Sequence, residues 1–199
     1  MAFIRTVPVA EAAGEAQALY EQGREPSGLV PNYLKSFSLR PEVYGSWRGL
    51  VASVRSNLDL RRYELVTVAT ALALDSSYCS LAHGKLLRDQ VFGEEQTKAF
   101  ARDFRLADLT PAEKAMVGFA QKIARRASAI TQADVDELRG HGLSDVEIFD
   151  IAAAAAARCF FSKLLDALGS EPDHAYMDME PELRQLLAVG RAIEPSPST

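Results

Sequence analysis

The chain has few of the features that mark secreted, disulfide-rich or nucleic-acid-binding proteins. Its 199 residues include only two cysteines and carry a net charge of -5. Two cysteines cannot build the dense disulfide framework of a small secreted domain. The sequence also lacks a stripe of Lys and Arg interleaved with aromatic residues, so we do not expect nucleic acid as a partner.

Long apolar runs are missing as well. The first residues, MAFIRTVPVAEAAGE, contain no apolar stretch of the kind found in signal peptides. The most apolar later stretches, LVTVATALAL and IAAAAAA, are too short to span a bilayer. We therefore expect a cytoplasmic protein that has no membrane partner. A glycine-rich phosphate-binding loop is absent too, and we expect no cofactor.

The sequence lacks alternating Val, Ile and Thr runs bounded by hairpin dipeptides, and it carries helix signals throughout. Thr110 and Ser144 each begin a capping box, with a glutamate three residues later. The fold class predicted from these signals is all-α. Predicted helices cover residues 10–22, 41–56, 61–74, 77–90, 94–103, 111–126, 132–140 and a long stretch from Ser144 to Gly169.

Three regions follow from this pattern. Residues 1–29 form an N-terminal arm and helix, and residues 30–170 form the helical core. Residues 171–199 form a linker, a short helix opened by Pro181 and a mobile tail, because helical periodicity is lost in EPDHAYMDM.

The segment SSYCSLAHG carries the candidate chemistry. In a helix that begins near position 75 or 76, Ser76, Cys79 and His83 lie on one face. Cys79 then falls in the first turn, where free backbone N–H groups favour the thiolate. A protonated His83 would add to this effect. A thiolate can attack a peroxide oxygen, and an imidazole can supply the proton that the departing alkoxide needs.

These residues resemble the alkyl hydroperoxidase D and carboxymuconolactone decarboxylase superfamily, whose peroxidase members carry a Glu followed by Cys-x-x-Cys-x-x-x-His. Glu64, Cys79 and His83 match the relay glutamate, the second cysteine and the histidine, whereas Ser76 replaces the first cysteine. The likeness covers about residues 30–169 and is closest to the peroxidase-related branch. It includes VPNYLKSFSLRPEVYGSW, LTPAEKAMVGFAQKI and HGLSDVEIFDIAAAAAARCFFSKLLDALG.

The resemblance implies a helical bundle that assembles into a homo-oligomer and reduces small organic hydroperoxides. Cys79 would be the nucleophile, Glu64 and His83 would relay protons, and Ser76 would donate a hydrogen bond to the thiolate or the peroxide. Because Ser76 cannot form a disulfide, oxidised Cys79 must be resolved by an external thiol or dithiol or by Cys159, and we expect the external thiol. Cys159, which lies beside two phenylalanines, is expected to be a core residue. Tyr78 replaces a histidine that some members carry.

Other interpretations remain open. His83 and Glu64 alone fit the acid–base chemistry of the decarboxylase side of the superfamily, in which no cysteine turns over. A non-catalytic helical oligomer with a sensing or ligand-binding pocket is also compatible. Cys79, His83 and Glu64 as zinc ligands are disfavoured, since neither His141 nor His174 has matching spacing.

Overall fold

The computed structural model describes residues 2–196, and the predicted mobility of residues 197–199 lies outside the described residues. Within residues 2–196 the chain is helical and contains no strand, which confirms the all-α prediction. The α-helices are α1 (Gly14–Gly23), α2 (Asn32–Ser36), α3 (Pro41–Arg55), α4 (Leu60–Ala73), α5 (Ser77–Leu87), α6 (Glu94–Arg102), α7 (Pro111–Arg126), α8 (Gln132–Gly140), α9 (Asp145–Ala167) and α10 (Pro181–Leu187).

Two predicted helices differ from the structure. The helix predicted for residues 10–22 is split into a 3-10 turn, Val9–Glu11, and α1, because the backbone at Ala12 and Ala13 is extended. The helix predicted for residues 77–90 ends as an α-helix at Leu87 and continues as a π-helical segment, Arg88–Phe92. The short helix α2 was not predicted, since its five residues carry no side-chain cap.

Helix α4 lies at the centre of the molecule and packs against α5, α7 and α9. Its residues from Tyr63 to Ala71 are all buried. A helix that is buried on every face needs an apolar sequence without a polar side, which explains the run LVTVATALAL. Each fully buried Val or Leu contributes roughly 1.5–3 kcal/mol relative to an exposed one, so this helix anchors the core.

Arginines at the start of α4 bind the capping boxes of the two long helices. Arg61 pairs with Glu113 of α7, and Nη1 of Arg62 lies 2.7 Å from Oε1 of Glu147 in α9. Hydrogen bonds from Ser144, and then from Arg62, lower the pKa of Glu147 to about 2. These contacts fix the three helices relative to one another at the same end of the bundle.

The C-terminal segment packs against α5. Gly84 of α5 faces Leu187, and a Cβ at position 84 would lie 2.5 Å from the Cδ1 atom of Leu187. The N–H group of Gly190 donates to the Ser77 hydroxyl at 2.7 Å. Glu194, in the predicted tail, accepts hydrogen bonds from the Asn32 side chain at 2.7 Å and from the His174 N–H group at 3.0 Å. The residues after α10 therefore brace the helix that carries Cys79.

None of the helices in residues 2–196 combines the length and the apolar character that crossing a membrane requires.

Candidate active site

Cys79 lies in the first turn of α5, as predicted. Ser76 is the N-cap residue and Ser77 begins the helix, so the thiol lies close to the unpaired backbone N–H groups of this end. The Cys79 side chain is only 1% exposed, and both cysteines are free thiols. The helix end and the burial together place one reduced sulfur atom inside the protein.

A cavity of about 230 Å³ opens beside this thiol. It lies between α2, α3, α5 and α9. Its lining residues are Tyr33, Tyr44, Trp47, Tyr78, Cys79, Ala82, His83, Leu86, Arg158 and Phe161. Cys79, Arg158 and Phe161 are buried, whereas Tyr44 and Trp47 are partly exposed. The cavity therefore has its reactive groups on a buried floor and aromatic residues nearer to solvent.

The structure brings Glu64 into contact with His83, which lines this cavity. Nδ1 of His83 lies 2.7 Å from Oε2 of Glu64, whose side chain is 2% exposed. A carboxylate can only accept a hydrogen bond, so the Nδ1 atom carries the proton and Nε2 is left as a proton acceptor. The predicted Glu64–His83 contact is thus present in the structure.

The charge of His83 differs from the expectation. Burial, and then the positive charge of Arg158, lower the pKa of His83, although Glu64 acts in the opposite direction. The imidazole is therefore neutral at pH 7, and the positive charge beside the thiol does not come from His83.

Arg158 of α9, which was not predicted from the sequence, supplies this charge. Its side chain is 3% exposed, and Nη1 lies 3.5 Å from Sγ of Cys79. The guanidinium carbon lies 5.7 Å from the ring centroid of Trp47 and 5.4 Å from that of Phe161. Burial opposes the charge, but the neighbouring Cys79 and Tyr63 outweigh this effect, and the pKa of Arg158 is raised.

The position of Arg158 has one signal in the sequence. Residues Ile151, Ala154, Arg158, Phe161 and Leu165 of α9 are buried and follow one another at intervals of three or four. An arginine on the apolar face of an amphipathic helix needs a partner in the protein interior. In this molecule the partners are the sulfur of Cys79, the side chain of Tyr63 and two aromatic rings.

Ser76 and Cys159 lie away from the reacting groups. Ser76 is buried, but it does not line the cavity, and its hydroxyl has no hydrogen-bond partner among residues 2–196. The predicted hydrogen bond from Ser76 to Cys79 is absent, and the hydroxyl lies close to Asp166. Cys159 also lies outside the cavity lining, and burial raises the pKa of its thiol.

Tyr78 has a structural role in the cavity wall. Its hydroxyl donates to the Asp173 carboxylate and accepts the N–H group of Tyr33 at 3.1 Å. Burial, and then the charge of Asp173, raise the pKa of Tyr78 well above its usual value. Because it stays protonated, Tyr78 orients the start of α2 and holds Tyr33 against the cavity.

Residues 2–196 contain no cluster of three or more His, Cys, Asp or Glu side chains arranged to hold a metal ion.

Comparison with known proteins places the fold and the site in a family context. Residues 41–122, which include Glu64, Cys79 and His83, match the carboxymuconolactone decarboxylase family. No curated protein matches the chain at a significant level.

Solved structures with the same fold cover nearly the whole chain. A peroxidase-related protein from Ralstonia eutropha JMP134 with an alkylhydroperoxidase AhpD core is 23% identical, with a TM-score of 0.76 over 96% of this chain and 98% of that one. A peroxidase-related protein from Silicibacter sp. TM1040 is 25% identical, with a TM-score of 0.75 over 86% and 92%.

A third similar structure is the debrominase Bmp8, whose C82A variant was solved in complex with 2,3,4-tribromopyrrole. It is 19% identical and has a TM-score of 0.70 over 94% of this chain and 98% of that one. The fold is therefore shared by proteins described as peroxidase-related and by a debrominase. Residues 41–122 are therefore similar to the carboxymuconolactone decarboxylase family, and the chain has the fold of proteins with an alkylhydroperoxidase AhpD core.

Proposed function

We propose that this protein reduces small organic hydroperoxides at the expense of an external thiol, with Cys79 as the nucleophile. The observation that carries the proposal is the 3.5 Å contact between Sγ of Cys79 and the guanidinium of Arg158, inside a cavity that also contains His83. A buried cation next to sulfur stabilises a thiolate, and the thiolate is the form that attacks peroxide oxygen.

The neutral state of His83 suits the first half of the reaction. Nε2 of His83 accepts the thiol proton of Cys79, and Glu64 stabilises the imidazolium that forms through the hydrogen bond to Nδ1. The thiolate attacks the terminal peroxide oxygen, the O–O bond breaks, and His83 returns the proton to the departing alkoxide. Sulfur loses two electrons and becomes a sulfenic acid, and the hydroperoxide becomes an alcohol.

The second half of the reaction needs two equivalents of thiol. The first attacks the sulfenic sulfur of Cys79, forms a mixed disulfide and releases water. The second attacks the mixed disulfide, restores the Cys79 thiol and leaves a disulfide of the external thiol. Ser76 has no thiol, and Cys159 does not line the cavity, so Cys79 is the one thiol among the lining residues. An external reductant is therefore part of the proposal.

The test measures consumption of tert-butyl hydroperoxide with glutathione, dithiothreitol or a dihydrolipoyl donor. Wild type is compared with Cys79→Ser and with Cys159→Ser as the matched control. We expect Cys79→Ser to lose at least about 100-fold in rate, as expected when a nucleophile is removed, and Cys159→Ser to retain its rate. Equal rates in all three proteins would refute the proposal.

The same variants distinguish the acid–base alternative. The Glu64–His83 pair, at 2.7 Å, is the observation that favours it, because a carboxylate-supported imidazole is a general base without any thiol. A decarboxylase-like reaction predicts turnover of a small lactone or related acid that survives Cys79→Ser and is lost in His83→Ala.

A further inference from the structure

The cavity wall has a composition that indicates the class of substrate. Five of its ten lining residues are aromatic, whereas aromatic residues make up 8% of the chain. They are Tyr33, Tyr44, Trp47, Tyr78 and Phe161. We propose that the site selects hydroperoxides that carry a single aromatic ring. The peroxide part of this inference rests on the proposed function, whereas the aromatic part rests on the wall.

The size of the cavity matches a substrate with one ring inside it. Its volume is about 230 Å³. A closed apolar protein cavity of about 150 Å³ holds a benzene molecule. The remaining space accommodates a few more heavy atoms, such as a branched carbon and the two peroxide oxygens. A second ring or a long acyl chain would extend out of the cavity towards solvent.

The aromatic wall is held in place before any ligand binds. Nε1 of Trp47 donates to the carbonyl oxygen of Ala157 at 3.3 Å, which fixes the indole ring. The ring centroids of Trp47 and Phe161 are 4.2 Å apart with an interplanar angle of 30°, and Tyr44 stacks on Trp47 at 6.0 Å and 27°. Binding a flat ring therefore requires little ordering of side chains, which favours affinity.

The depth of the cavity fixes the orientation of the substrate. Cys79 is buried and Arg158 is 3% exposed, whereas Tyr44 and Trp47 are partly exposed. The peroxide oxygens must reach the buried floor, so the carbon framework remains among the rings. Aromatic contacts add to simple apolar burial, and the preference for an aryl over an alkyl group of similar size should be roughly 2- to 10-fold per ring contact.

Trp47 offers a direct binding signal, because it is the only tryptophan of the chain. Cumyl alcohol, the product of cumene hydroperoxide reduction, serves as the aromatic probe, and tert-butanol serves as its aliphatic control. We expect cumyl alcohol to change the tryptophan fluorescence saturably and to slow iodoacetamide alkylation of Cys79 at concentrations at which tert-butanol does neither.

Kinetics provide the second measurement. Wild type should prefer cumene hydroperoxide to tert-butyl hydroperoxide by at least about tenfold in kcat/KM. Trp47→Leu and, separately, Tyr44→Leu should each lower this ratio by roughly 2- to 10-fold. Phe92→Leu removes a partly buried ring outside the cavity and should keep the wild-type ratio.

The outcomes separate the two proposals. Binding of cumyl alcohol without turnover of any hydroperoxide would support the aromatic site and refute the proposed peroxidase function. Turnover with equal kcat/KM for both hydroperoxides, and no effect of cumyl alcohol on fluorescence or alkylation, would overturn the aromatic inference and leave the peroxidase function standing.

Discussion

The contact between Arg158 and Cys79 makes a quantitative prediction for the variant Arg158→Met. At 3.5 Å and an effective dielectric constant near 20, attraction between the guanidinium and a thiolate is roughly 5 kcal/mol. Burial of the sulfur anion costs several kcal/mol in the opposite direction, so only part of the attraction is expressed. We expect Cys79 of the variant to react with iodoacetamide roughly 10- to 100-fold more slowly at neutral pH, which corresponds to about 1.4–3 kcal/mol.

The assay follows alkylation of Cys79 by mass spectrometry in a Cys159→Ser background, which removes the second thiol. Arg48→Met is the matched control, since it deletes the same charge from an exposed position that does not line the cavity. Arg158→Lys keeps the charge without the planar guanidinium, and its alkylation rate should lie between those of Arg158→Met and Arg48→Met.

The fold should tolerate the substitution. Methionine fills a similar volume, and Cys79 can keep its proton once the guanidinium is gone, so the substitution leaves no uncompensated charge in the interior. Nε of Arg158 has no hydrogen-bond partner among residues 2–196, so the side chain is incompletely paired. A urea midpoint at or above that of wild type would establish that the variant is folded. Alkylation of folded Arg158→Met as fast as that of wild type would then refute the role of Arg158.

Two further predictions concern pH and assembly. Burial, and then the charge of Arg158, lower the pKa of His83 in the folded protein. As the pH falls below about 6.5, His83 therefore binds a proton in the unfolded chain before it does so in the folded chain. The free energy of unfolding should not depend on His83 above about pH 6.5 and should fall by up to about 1.4 kcal/mol per pH unit below it. Urea titrations in which His83→Gln shows the same pH slope as wild type would contradict this prediction. Helix α9 has three exposed apolar residues, Val146, Phe149 and Phe160, whose exposed fractions are 61%, 70% and 45%. Their spacing is that of a coiled-coil seam. If this face joins the subunits of the predicted homo-oligomer, Phe149→Glu should lower the mass measured by light scattering, and an unchanged mass would argue against it.

Local signals made most of the helices predictable. The capping box at Thr110 and the proline after it defined α7, whose predicted bounds of 111–126 agree with Pro111–Arg126. The capping box at Ser144 likewise defined the start of α9. Such signals depend on neighbouring residues only, so they can be identified without knowledge of the tertiary structure. At Ala12, by contrast, the extended backbone interrupts a sequence made mostly of good helix formers, and the nearby Gly14, whose φ is 55°, is only a weak local signal for the break.

The candidate site was predictable where its residues share a helix face or a family spacing. Glu64, Cys79 and His83 belong to this class. Arg158 does not, because its contact with Cys79 arises from the way α9 packs against α4 and α5, which no short sequence pattern encodes. The charge of His83 could not be predicted from the sequence either, since it depends on burial and on the position of Arg158.

The burial of Cys79 in a small cavity has a kinetic consequence. Both reactants of the proposed cycle must reach the sulfur of Cys79, a residue that is 1% exposed, inside a space of about 230 Å³. They can therefore occupy it only in turn, which requires a ping-pong rate law. An excess of either reactant would delay the entry of the other. The opening would also restrict the reductant to small thiols or to a partner that presents its thiol on a slender, flexible arm.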